Sequence, residues 1–394
     1  MTTDRALASS SPEPGSIRWL RSAGVALLVL AAACDRAPAT AAGAPTLTLE
    51  PLLEIGTVSG DTAYQHLRIV AIERFDDGSL AVANAGVPAI RVYDAEGRYV
   101  RSIGHEGEGP GEYRAISSML RRGDTLFVHD LGLRRLTAFT ADGGVAGTLT
   151  LTPPEGTLNP TVVGMLADGR IVAVGRLRRT GIPPDGISRD SAAVLVFARD
   201  GIAADTVAFV AGHENEMYIT RSSSSIEIIK RSRDFHRDVI VRAAGSKVYI
   251  GATDDRMIAV HDLAAGSVSH IRWGEAPPPI AADFRERYID TEVAELSPAE
   301  QTERRASLAN MPLPPSAPAF DQMRVDGKGQ LWVREYAPAW SEPGAWLVLD
   351  ASGATTATFT APRDFVLQQV LGDTVVAVGR DEVDVEFVRE FLVK

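Results

Sequence analysis

Histidines, arginines and carboxylates are the side chains that could do chemistry in this chain of 394 residues, and their spacing excludes most of it. Seven histidines (His66, His105, His129, His213, His236, His261 and His270) are scattered along the whole length. His213 is followed by Glu214 but by no second histidine four residues on, so the helical zinc-protease motif is excluded there. There is no Gly-x-Ser-x-Gly elbow for a nucleophilic serine and no EF-hand calcium loop. Gly104-His105-Glu106-Gly107-Glu108-Gly109-Pro110-Gly111-Glu112 has the glycine content of a phosphate loop. No lysine closes it, however, and its glutamates repel phosphate, so it reads as a linker. Cys34 is the single cysteine, which rules out an internal disulfide and any multi-cysteine metal or iron–sulfur site. A net charge of −11 argues against nucleic acid, whose phosphates need a basic excess.

The elements that must position the remaining candidates are short strands. Two families of hairpin alternate along the chain, each with an apolar run, a glycine turn and a second strand. The first is closed by Gly97, Gly143, Gly201, Gly266 and Gly353, and the second by Gly78, Gly123, Gly169, Gly245, Gly329 and Gly372. Glycine suits these places because tight hairpin turns use positive φ. Uninterrupted members recur at about 45 residues, the size of a four-stranded propeller blade. Six units fit the length. The chain ends after a third strand, while the segment 46–56 is a strand without a hairpin. The fold class expected is therefore all-β, a six-bladed β-propeller over 46–394 closed by an N-terminal strand, which removes both free edges of the ring.

Residues 277–318 break the strand pattern, and the helical insertion is placed at 279–310. Ser297-Pro298-Ala299-Glu300 is a capping box with proline at the first helical position. Phe284, Tyr288 and Ile289 precede it at helical spacing, so two short helices are expected, ending near Asn310. A surface decoration and a flap over the channel both fit this segment.

Aligning the second-family hairpins brings one set of positions to one mouth of the channel: Asn84, Asp130, Arg176, Ala252, Glu335 and Arg380. His129 and Arg334 stand one step earlier, with Arg68 and Arg324 near the inner strands. Guanidinium forks match carboxylate or phosphate, so this rim suits an anionic ligand or acidic peptide. The rival is a calcium-dependent hydrolase or lyase using Asn84, Asp130 and Glu335 as oxygen ligands. Arg176, Arg334 and Arg380 oppose a divalent cation there, so neither a metal nor a cofactor is assigned, and a non-catalytic protein that binds a partner protein, a peptide or a small anionic ligand at this mouth is expected.

At the N-terminus, the apolar run Ala23–Ala33 follows Arg18 and Arg21 and is too short to span a bilayer as a helix. With Ala31-Ala32-Ala33-Cys34 it resembles the export signal and lipobox of bacterial lipoproteins, although Leu30 lies four rather than three residues before the cysteine. That resemblance implies a signal over 1–33, lipidation of Cys34, a tether over 34–45 and a monomer anchored to a bacterial membrane facing periplasm or exterior. Acyl chains hold such an anchor because each buried methylene contributes about 0.8 kcal/mol. The run Ile103-Gly104-His105-Glu106-Gly107-Glu108-Gly109-Pro110-Gly111-Glu112-Tyr113 and the stretch from Pro312 to Arg334 resemble blade linkers and openings of NHL-type bacterial six-bladed propellers. This second resemblance implies the architecture and leaves the ligand open.

Overall fold

A computed structural model describes residues 43–394. The expected signal over 1–33 and Cys34 lie outside the described residues. Six antiparallel sheets, blades I to VI, follow one another along the chain. Their innermost strands are Ile69–Arg74, Ile116–Arg122, Thr157–Met165, Val239–Ala244, Phe320–Val325 and Val366–Leu371. Each packs beside the next, and the sixth returns to the first, so the ring encloses a central channel.

Closure follows the sequence expectation. Leu49–Ile55 pairs antiparallel with the last strand, Glu386–Val393, from Leu49 opposite Val393 to Ile55 opposite Val388. First and last strands thus share blade VI, and the ring is shut by backbone hydrogen bonds. Six apolar clusters hold it together, one at each junction between blades. At the closing junction Ile55, Val376 and Val388 of blade VI meet Ile72, Leu80 and Tyr93 of blade I. Strands such as Leu80–Asn84 are apolar on both faces because both faces are covered by neighbours. Gly353 shows why the turns need glycine: its φ is +87°, and a Cβ would stand 1.8 Å from the carbonyl oxygen of Arg272 in blade IV.

Two features modify the ring. The insertion between blades IV and V forms α1 (Phe284–Val293) and α2 (Pro298–Leu308), the second ending just short of the expected Asn310. The Glu300 carboxylate accepts from the Ser297 amide at 3.0 Å, as the capping motif requires. The helices dock through Phe235, which meets Phe284 and Tyr288 edge-on at centroid distances of 5.3 and 5.0 Å. Phe235 lies in the segment entering blade IV, so the insertion sits on the face where second strands end.

Blade III departs from the sequence reading. Its outer hairpin runs through Gly186–Phe197 and Ala203–Arg221, and a fifth strand, Ile226–Arg231, follows. Gly186–Arg189 pairs with Glu214–Met217 beyond the end of the second strand, Ile171–Leu177, so this part of the sheet projects from the same face.

Candidate functional site

The aligned positions do lie together at one end of the second strands, and most of their polar atoms are engaged locally. The buried Asp130 carboxylate accepts from the amides of Arg114 (2.6 Å), Ala115 (3.1 Å) and Leu133 (2.8 Å). Asn84 Oδ1 accepts from the Leu67 amide at 3.3 Å and lies 3.2 Å from His66 Nδ1. Glu386, at the start of the third strand of blade VI, adds a bond across the closing junction by accepting from the Ile69 amide of blade I at 2.5 Å. Carboxylate or amide at this place fastens the chain entering a blade, because the backbone N–H groups of that turn have no strand partner.

The other rim residues divide between ion pairs and solvent. Arg334 forks onto Asp321 at 2.7 and 3.0 Å and donates to the carbonyls of Arg363 and Phe365. Glu335 pairs with Arg256 at 2.9 Å. Arg380 lies 3.1 Å from Glu386 and 3.2 Å from Asp384. Arg68, at φ +55°, donates to the Ala85 carbonyl at 3.0 Å. Arg176 is 58 % exposed, and its nearest carboxylate, Asp190 at 3.8 Å, is shared with Arg179 and Lys230. His129 is buried against the Ser117 hydroxyl at 2.7 Å, and burial pushes its pKa down to about 4. The oxygens of Asn84, Asp130 and Glu335 are thus occupied on three separate blades. No group of three acidic, histidine or cysteine side chains converges at metal distance among the described residues.

The innermost strands hold a different arrangement, of which only Arg324 is in the sequence reading. Arg242 of blade IV donates through Nε to the Met323 carbonyl of blade V at 3.1 Å. Arg324 of blade V donates through Nη1 to that same oxygen at 3.0 Å and through Nε to the Gln368 carbonyl of blade VI at 3.1 Å. Gln369 of blade VI then bonds Glu73 of blade I at 2.5 Å and accepts from the Arg74 amide at 3.0 Å. Side chains at this height therefore link four consecutive blades around the channel. Neither Arg242 nor Arg324 has a carboxylate within ion-pair distance, and no protein acceptor meets either Nη2, among the described residues. Both arginines are half-buried as whole residues. Burial pushes Arg242 down to about 10 and holds Arg324 well below the usual arginine range, with repulsion from Arg242 adding to it. Glu73 is raised to about 7 by burial, with Arg121 pulling the other way.

Beside the projecting hairpin is a network that is not part of the sequence reading. His213 Nε2 lies 2.6 Å from the Ser232 hydroxyl and Nδ1 3.0 Å from Asp238. The order is that of a hydrolytic triad. Here His213 and Asp238 keep more than a third of their side-chain surface in solvent, so the base stays hydrated. Beneath them Glu214 pairs with Arg237 and Glu216 with Arg233, both carboxylates fully buried.

Comparison with known proteins agrees with the architecture. A family model described as a six-bladed beta-propeller matches residues 67–151. No curated protein matches the chain. A Bacteroides fragilis protein named as an exported one is 12% identical, with a TM-score of 0.49 over 89% of this chain and 95% of that one. A member of the DUF4221 family from Bacteroides vulgatus is 12% identical, with a TM-score of 0.48 over 89% and 98%. Virginiamycin B lyase from Staphylococcus aureus is 10% identical, with a TM-score of 0.42 over 88% and 99%. These likenesses are of fold alone.

Proposed function

We propose that this six-bladed propeller is a binding protein for a small anion, a carboxylate or an oxoanion, held in the central channel by Arg242 and Arg324. The reading places it outside the cytoplasm, anchored to a bacterial membrane by a lipid on Cys34. One observation carries the ligand class: two guanidiniums from adjacent inner strands converge on the Met323 carbonyl, with no acid beside them. Arginine keeps its proton at any ordinary pH, so enclosing it without a counter-charge costs several kcal/mol. An anion supplied from solution offsets that cost. The planar forks, already fixed through Nε and Nη1, lose little further freedom on binding.

Thermal unfolding in sulfate against chloride at matched ionic strength tests the ligand. Sulfate raises Tm for any protein through exclusion from its surface, so the readout is the difference between wild type and Arg324→Met. Wild type is expected to gain more, by about 2.7 kcal/mol when sulfate stands a hundredfold above its dissociation constant. Equal shifts in the two proteins would remove the assignment. The anchor has its own check: Cys34→Ser should move the protein from the membrane fraction to the soluble one and abolish palmitate incorporation.

A further inference from the structure

Ile226–Arg231 pairs on one side only, with Glu216–Arg221, in a register without bulges that sets Ile229 opposite Tyr218 and Arg231 opposite Glu216. Its other edge meets no backbone partner among the described residues. All six residues are exposed, Ile226, Ile228 and Ile229 by 48, 44 and 41 %. Free edges in soluble proteins are ordinarily blunted by proline, a bulge or inward-pointing charge. This one has neither proline nor a bulge in its pairing, and it carries three isoleucines beside Glu227, Lys230 and Arg231.

We propose that the edge pairs with the same edge of a second copy of this chain, joining two five-stranded blades into one continuous sheet. The pattern of side chains selects that occupant. A two-fold axis normal to the sheet makes antiparallel neighbours of two identical strands, and residues that face each other must then lie on the same side of the sheet. With the axis at Ile229, this isoleucine faces its own copy, and Glu227 faces Arg231 of the partner subunit, twice by symmetry. On the opposite face Ile228 lies across from Lys230 of the partner subunit, whose methylene stem covers it. Neither Glu227 nor Arg231 has an ion-pair partner among the described residues; Arg231 rests over the Tyr218 ring at 5.1 Å. Directly opposite charges of unlike sign stabilise a strand pair, and like charges weaken it. A monomer is the sequence expectation, and this fifth strand, absent from the other blades, is what argues against it. Six residues a side bury less than the roughly 1,000 Å² of a tight complex, so the dimer is weak and dependent on concentration.

Sedimentation of the full chain over a wide concentration range tests this. Wild type should show a reversible monomer–dimer equilibrium. Arg231→Glu sets glutamate against glutamate and Glu227→Arg sets arginine against arginine, so each alone should weaken association about tenfold or more. An equimolar mixture of the two variants restores both attractive pairs and should dimerise like wild type, as should the double variant. Ile229→Lys, which places a cation on the axis, should abolish pairing with thermal stability unchanged and serves if a charge reversal folds poorly. A monomeric wild type, a dimer indifferent to the reversals, or a mixture no better than either variant overturns the proposal.

Discussion

Two pairs of enclosed arginines, one on the segment entering blade IV and the other on the inner strands of blades IV and V, are satisfied in opposite ways. Arg233 and Arg237 meet the fully buried carboxylates of Glu216 and Glu214, Arg233 through a fork at 2.9 and 3.0 Å. Arg242 and Arg324 meet only main-chain carbonyls. In the first pair every charge is cancelled inside the chain, and the gain is positional: the overshooting hairpin of blade III is pinned to the segment entering blade IV. In the second pair the charges are left over. Burial of an arginine therefore says little by itself about binding, and the identity of the acceptor decides.

The largest effect expected from this contrast is on stability. Glu216→Ala leaves the Arg233 guanidinium, 6 % exposed, without its anion, and should cost about 3–5 kcal/mol in denaturant unfolding. Replacing both partners, Glu216→Leu with Arg233→Met, should recover most of that loss, because the penalty is the orphaned charge. Arg324→Met in a sulfate-free buffer should not destabilise, since the enclosed charge it removes has no counter-charge to offset its burial and that relief outweighs two hydrogen bonds to main-chain carbonyls. A loss of comparable size there would place Arg324 in the same structural class as Arg233 and break the contrast.

Histidine offers a third answer to enclosure, the loss of its proton, and gives the next largest effect. Burial pushes His66 and His129 down to about 4, Asn84 and Asp130 respectively working against the shift. Above pH 6.5 both are neutral in either state and their contribution is complete. As pH falls from 6.5 towards 4 the unfolded chain takes up protons that the folded one refuses, so stability declines, by roughly 3 kcal/mol for each histidine at the limit. Glu73 works in the other direction: raised to about 7, it favours the fold below pH 4.5 and loses that contribution as pH rises through 7. Melting curves from pH 7.5 to 4.5 should therefore steepen on the acid side in wild type and flatten in His129→Gln. An unchanged slope in that variant would mean His129 titrates normally.

Blade spacing, turn glycines and the capped helix could be read from the sequence because each depends on neighbours close in the chain; ring closure, which pairs Leu49 with Val393, could be read because one end lacked the strand that the other had in excess. The end-of-strand set is legible as strand ends, but what its members do is hidden. Asp130 spends its oxygens on amides of Arg114 and Ala115, whose position depends on the path of a loop. Arg242 and Arg324 stand level in their blades, opposite Tyr249 and Trp332, each three residues before the end-of-strand positions Ala252 and Glu335; turns of unequal length, three residues to Gly245 and five to Gly329, hide that equivalence in the sequence. The fifth strand of blade III was hidden by its regularity in the wrong place: a serine run, Ser222–Ser225, turns the chain into an extra strand that no other blade has.

Arg176 carries the smallest expected effect and decides between rim and channel. Its guanidinium is mostly in water, and Asp190 at 3.8 Å already answers to Arg179 and Lys230. Exposed pairs of this kind contribute about 0–1 kcal/mol, so Arg176→Ala should leave Tm within the scatter of the measurement. Its effect on sulfate is the informative part. If the anion is held by Arg242 and Arg324, the sulfate-specific shift persists in Arg176→Ala, because a solvated charge at the mouth is screened over about a Debye length of 8–10 Å. If the shift falls as far as in Arg324→Met, the rim takes part in holding the ligand, and the division between spent and unspent arginines has to be redrawn with Arg176 among the unspent.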